Sequence, residues 1–94
     1  MSLKDVREEI RKIDLQILDL IEKRTNLAEK ILEIKKRENI PIEDKDQRER
    51  VIGRMRDLAS EKGLYPDEVG KIYEILIVMN ERRQFEALRS KILK

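Results

Sequence analysis

Arg24 stands where an apolar residue is expected. Leu3, Val6, Ile10, Ile13, Ile17, Leu20, Leu27, Ile31 and Ile34 recur at helical steps, and the gap in that seam falls at position 24. A guanidinium on an apolar face must find a counter-charge or run its stem outward to water. It therefore either pairs with a carboxylate across an interface or holds an anionic ligand. Lys35 favours the ligand. Eleven residues on, at ~100° per residue, it projects within about 20° of Arg24 and about 16 Å along the axis. Two long cations reaching inward from that separation leave room for a ligand ~6–8 Å long, the size of a small dicarboxylate.

Other polar residues have helical spacing too. Asn80 and Gln84 are four apart on the line of Val69, Tyr73 and Leu76, so two neutral amides extend an apolar face and present adjacent donors. A polar helix end near the surface is the competing reading of that pair. Arg48-Glu49 opens a second helical stretch, and alone it reads as an ordinary surface pair. Arg7, beside Glu8 and Glu9, reads alone as a solvated charge. It lies about 25 Å from Arg24 on the same helix, so it reaches an Arg24 ligand only from an antiparallel partner chain.

Absences narrow the chemistry. With no His and no Cys, a Ser-His-Asp or Cys-His nucleophile and a Cys/His zinc site are excluded. No acidic run has calcium-loop spacing, so no metal or cofactor is expected. The lack of cysteine is compatible with a reducing cytoplasm, where we expect the protein. No apolar stretch approaches the roughly 20 residues that cross a bilayer, and MSLKDVREEI has charges where a signal peptide needs an apolar run. The 22 basic and 20 acidic residues nearly cancel, to +2, which gives nucleic-acid binding no support.

These residues need long helices to position them. No Gly or Pro interrupts Leu3 to Asn39, which predicts one helix of about 33 residues, roughly 50 Å long. Asn39-Ile40-Pro41 ends it, and Asp44 or Asp46 is the expected N-cap of a second helix carrying Val51, Ile52, Met55, Leu58 and Ala59. Gly63 is the expected stop. Pro66, Asp67 and Glu68 suit the first turn of a third helix, which runs through Phe85 and Leu88 to about Ile92. With 3 Gly and 2 Pro, the composition supplies too few turn residues for a chain of hairpins. The expectation is an all-α chain, residues 1–94 as a single domain, with helices in the order long, short, long. A ~50 Å helix outruns a compact body of this length, radius of gyration about 12 Å, and points to an interleaved oligomer.

Taken in order, these positions resemble the all-helical class of chorismate mutases. The resemblance runs through residues 6–36, 40–51 and 72–88. It is carried by Arg7 with Asp14, the Arg24–Lys35 spacing, the proline loop leading to Arg48-Glu49, and the Asn80/Gln84 pair. It implies an intertwined homodimer with antiparallel first helices and two shared active sites. Its implied reaction is the isomerisation of chorismate to prephenate, on the route to phenylalanine and tyrosine. Arg24, Lys35 and Arg48 of one chain and Arg7 of the other would surround the two substrate carboxylates. Lys35 and Gln84 would meet the ether oxygen. Glu49 and the loop near Asp44 would hold the ring hydroxyl, with Lys45 and Asp46 as further candidates there. Asn80 would sit where the family often has a small hydroxyl residue. An isochorismate-pyruvate lyase on the same scaffold, or a non-enzymatic helical dimerisation or nucleic-acid-binding module, are the alternatives.

Overall fold

The computed structural model describes residues 1–93, with side chains through Lys91, and the described residues form only helices, turns and bends. Ser2 starts α1 (Leu3–Asn26) with a reciprocal cap. Its hydroxyl accepts the Asp5 N–H at 3.2 Å, and its own N–H donates to the Asp5 carboxylate at 3.1 Å. Those two bonds satisfy donors that a helix start otherwise leaves open.

The expected single long helix is two segments. α1 stops at Asn26, and α2 (Ala28–Glu38) begins after one residue, Leu27. The cause lies in competition for carbonyls. The Arg24 carbonyl, which an unbroken helix would give to the Ala28 N–H, accepts the side-chain amide of Asn80 at 3.2 Å. The Thr25 hydroxyl donates back to the Ile21 carbonyl at 2.8 Å, a bond that bends helices. Leu27 keeps helical angles, φ −72° and ψ −11°, so the break leaves the chain helical in sense. The Ile31 N–H then bonds to the Leu27 carbonyl and the ladder resumes.

The remaining boundaries fall where expected. Asn39 closes α2 in the left-handed region (φ 57°), with the Ile40 N–H on the Lys35 carbonyl at 2.8 Å. Asp44 caps α3 (Lys45–Glu61) by accepting the Gln47 N–H at 3.2 Å. Gly63, at φ +71°, allows Gly63 and Leu64 to donate back to Ser60 and Ala59, a Schellman closure. Pro66 opens α4 (Pro66–Leu93), and Asp67 in its first turn meets Arg56 of α3 at 2.7 Å. Gly70 fixes how closely these helices approach. A Cβ there would lie 3.2 Å from Cγ of Arg56.

Burial is uneven. Ala28, Leu32 and Ala59 form the fully buried apolar core, while the buried residues of α4 include Asn80 and Gln84. α1 has no buried residue at all. Its seam lies open, with Leu3, Ile10, Ile13 and Leu20 at least half exposed, and Ile72, Ile75 and Val78 of α4 do likewise. The chain exposes 7986 Å², against about 5,700 Å² for a compact monomer of its mass. Its radius of gyration is 16.8 Å. No helix among the described residues is long and apolar enough to cross a membrane.

Candidate active site

A cleft of about 450 Å³ opens where α2, α3, α4 and the end of α1 converge. Its apolar floor comes from Leu27, Ile31, Ile42, Val51 and Ile77. Around it stand Arg24, Lys35, Asp44, Gln47, Arg48, Asn80, Glu81 and Gln84. Each helix contributes one face. Positions 44, 47, 48 and 51 follow the steps of a single helical stripe, as do 77, 80, 81 and 84.

The cations are held by oxygen atoms of neighbouring elements. Arg24 Nη1 donates to the Leu76 carbonyl at 3.2 Å, and Lys35 Nζ donates to the Ile42 carbonyl at 2.6 Å. Arg48 pairs with the Glu81 carboxylate across α3 and α4. Beside them the two amides form a relay. Asn80 Nδ2 donates to the Arg24 carbonyl, and Gln84 Nε2 donates to Asn80 Oδ1 at 2.6 Å. Gln84 Oε1 is buried with no partner among the described residues. Its orientation follows from the relay. Asn80 must turn its NH₂ to a carbonyl, so its oxygen faces Gln84, and Gln84 must answer with nitrogen. The second N–H of that nitrogen takes no part in the relay.

Six of the residues singled out in the sequence therefore share one cleft: Arg24, Lys35, Asp44, Arg48, Asn80 and Gln84. Four lie elsewhere. Arg7 projects from the exposed part of α1, and Lys45, Asp46 and Glu49 are exposed and do not line the cleft. On α3, Glu49 lies about 100° around the helix from Arg48, on the side away from Gln47 and the rest of the stripe. Gln47 and Glu81 were missed, although the stripes through 44, 48 and 51 and through 80 and 84 include both.

Cations, an oriented amide pair and an apolar floor suit a small anion held in one shape. Residues 6–86 match the family model described as chorismate mutase type II. The chain belongs to that family. A chorismate mutase from Methanocaldococcus jannaschii is 36% identical over 87 residues, covering 93% of this chain and 88% of the relative. A bifunctional chorismate mutase/prephenate dehydratase from Aquifex aeolicus is 37% identical over 69 residues, 71% of this chain and 19% of that longer protein. No solved structure gives a significant match. Within this chorismate mutase family member, the matched span takes in every cleft residue.

Proposed function

We propose that the cleft binds chorismate and isomerises it to prephenate by an intramolecular [3,3] rearrangement. The observation that carries this reading is the convergence of Arg24, Lys35 and Gln84 on one cleft in a chain of this family. The reaction breaks a C–O bond and makes a C–C bond within one molecule. It needs no nucleophile, metal, cofactor or obligatory proton transfer, so what the protein can supply is shape and charge.

The flexible substrate has to be folded until its reacting carbons are roughly 3–3.5 Å apart. Arg24 and Arg48 are suited to grip carboxylates, because a guanidinium fork fixes orientation as well as charge. Negative charge grows on the ether oxygen as its bond breaks. Lys35 and the unused N–H of Gln84 are the donors assigned to that oxygen, and they favour the transition state over the ground state. Asn80 holds Gln84 in register, and Asp44 lines the loop side of the cleft.

One chain does not complete the site. Arg24, Lys35 and Arg48 face Asp44 and Glu81, which leaves one net positive charge for a substrate with two negative ones. Arg7 of a second copy, brought in by an antiparallel first helix, would balance it. The surface argues the same way. The excess of about 2,300 Å² per chain over a compact monomer is in the range that obligate homodimers bury. We accordingly assign the chain to an intertwined homodimer with two shared sites, each chain acting as one catalytic domain in the cytoplasm.

The test is direct. Purified protein should remove the absorbance of chorismate and yield prephenate as the product. Absence of turnover, or release of pyruvate from isochorismate in its place, would overturn the assignment.

A further inference from the structure

We infer that Thr25 is a positioning residue for the reaction, acting on the Gln84 donor through the main chain of Arg24. The inference rests on the reading of the cleft as the chorismate site and extends its machinery to a side chain outside it. Thr25 does not line the cleft. It is half-buried near the end of α1, where its hydroxyl donates to the Ile21 carbonyl at 2.8 Å. Its own carbonyl accepts the Leu27 N–H. Thr25 is thus tied both to the turn behind the break and to the break itself.

The peptide unit is planar, so the Arg24 carbonyl and the Thr25 N–H move as one rigid plate. Whatever anchors Thr25 therefore sets where the Arg24 carbonyl points. A threonine hydroxyl bonded four residues back competes with the helical ladder and bends it. The ladder does fail just beyond, at Leu27, and the Arg24 carbonyl accepts Asn80 Nδ2 at 3.2 Å. Asn80 Oδ1 in turn holds Gln84 Nε2 at 2.6 Å. Three bonds and one peptide plate lead from Ile21 to the amide assigned to the ether oxygen. The Arg24 guanidinium has a separate hold, Nη1 on the Leu76 carbonyl at 3.2 Å. Losing the Thr25 hydroxyl should disturb the donor and spare the grip on the substrate. Asn26 supplies the control. It borders the same break and is exposed, and its side chain accepts from Arg83 at 3.1 Å on the outer side.

The experiment measures kcat and KM for chorismate in the wild type, Thr25→Val, Thr25→Ser and Asn26→Ala. Thr25→Val keeps the branched shape without the hydroxyl. It should lower kcat about three- to tenfold with KM within about twofold, a fraction of what loss of the donor itself costs. Thr25→Ser should recover kcat to within about twofold, and Asn26→Ala should stay in that range. In an Asn80→Ala background Thr25→Val should have no further effect on kcat, because the relay it acts through is gone. Without substrate, the nitrogen-15 resonances of the Asn80 and Gln84 amides should shift in Thr25→Val and return in Thr25→Ser. Circular dichroism checks that the helices persist. If Thr25→Val does not fold, Thr25→Ala, which also lacks the hydroxyl and favours helix more, is read in its place. Wild-type kcat in the variant without the hydroxyl would overturn the inference. So would an equal loss in Thr25→Ser or Asn26→Ala, which would show that any loosening of the break has the same effect. A wild type inert towards chorismate would overturn the parent reading, and this one with it.

Discussion

The side-chain amide of Asn80 donates to the main-chain carbonyl of Arg24 at 3.2 Å, and this bond joins α4 to the first helical arm at the point where the arm breaks. The same amide accepts from Gln84 at 2.6 Å. One side chain thus interrupts a helix, fixes a neighbour's orientation and lines the cleft.

Substitution at Asn80 should therefore affect both stability and rate. Asn80→Ala leaves a buried amide without its acceptor and should cost about 1–3 kcal/mol. Asn80→Asp should cost more, because it sets an acceptor against the Arg24 carbonyl and brings a charge into a buried position. Urea denaturation gives the stability change, and turnover of the folded fraction gives the loss of alignment at Gln84. Two variants as stable as the wild type would remove the relay from the account.

Lys35→Ala and Arg24→Ala should each lower turnover by about a hundredfold or more while helical content persists. Lys35 also ties the loop through the Ile42 carbonyl, so its variant should raise KM as well. Near-wild-type kinetics in either purified variant would contradict the assigned roles.

Gln84→Glu should convert the enzyme to one that works better in acid. A protonated carboxyl can donate to the ether oxygen, whereas a carboxylate repels the charge developing there. Burial raises a carboxyl's pKa, which extends the active range upward from the usual carboxylate values. A pH–rate profile that falls with rising pH is expected, and a flat one would argue against a donor at position 84.

Mixing inactive Arg7→Ala and Arg24→Ala chains should restore activity. A heterodimer built this way holds one site with neither substitution and one with both. No recovery, with subunit exchange verified by mass spectrometry, would count against sites shared between chains.

At the N-terminus the Ser2 N–H, and then the Ser2 hydroxyl, hold the Asp5 carboxyl below its ordinary value of 3.8. A carboxyl depressed by folding stabilises the folded state above its unfolded pKa. That contribution is lost as the pH falls through the folded value. Helicity of the first turn should show such an acid step, followed by carbon-13 shifts of residues near Ser2. Asp5→Asn should lack it.

Most helix boundaries were legible because they are local chemistry. Pro41 forbids helix before it, Asp44 caps, Gly63 reverses and Pro66 starts, each read within a few residues. The break at Leu27 was not legible, since it depends on an amide from position 80 that only the tertiary fold brings near. Arg24 and Lys35 could be placed together because Leu27 keeps helical angles, so the helical period carries through the break between them. Glu49 follows Arg48 in sequence, and adjacency alone does not put two residues on one face of α3. On a helix the neighbours of Arg48 include Asp44 and Val51, and the acid that meets it, Glu81, is on another element. Its spacing, four residues after Ile77 and three before Gln84, was a readable sign of the same face.

The uncovered apolar seam of α1 makes folding a matter of encounter. In the dimer proposed here, those side chains leave water only when a sister polypeptide arrives, so much of the driving force for folding is bimolecular. Melting temperature should then climb with protein concentration, and strong dilution should unravel the arm that carries Arg7 before it harms the caps and turns around α3.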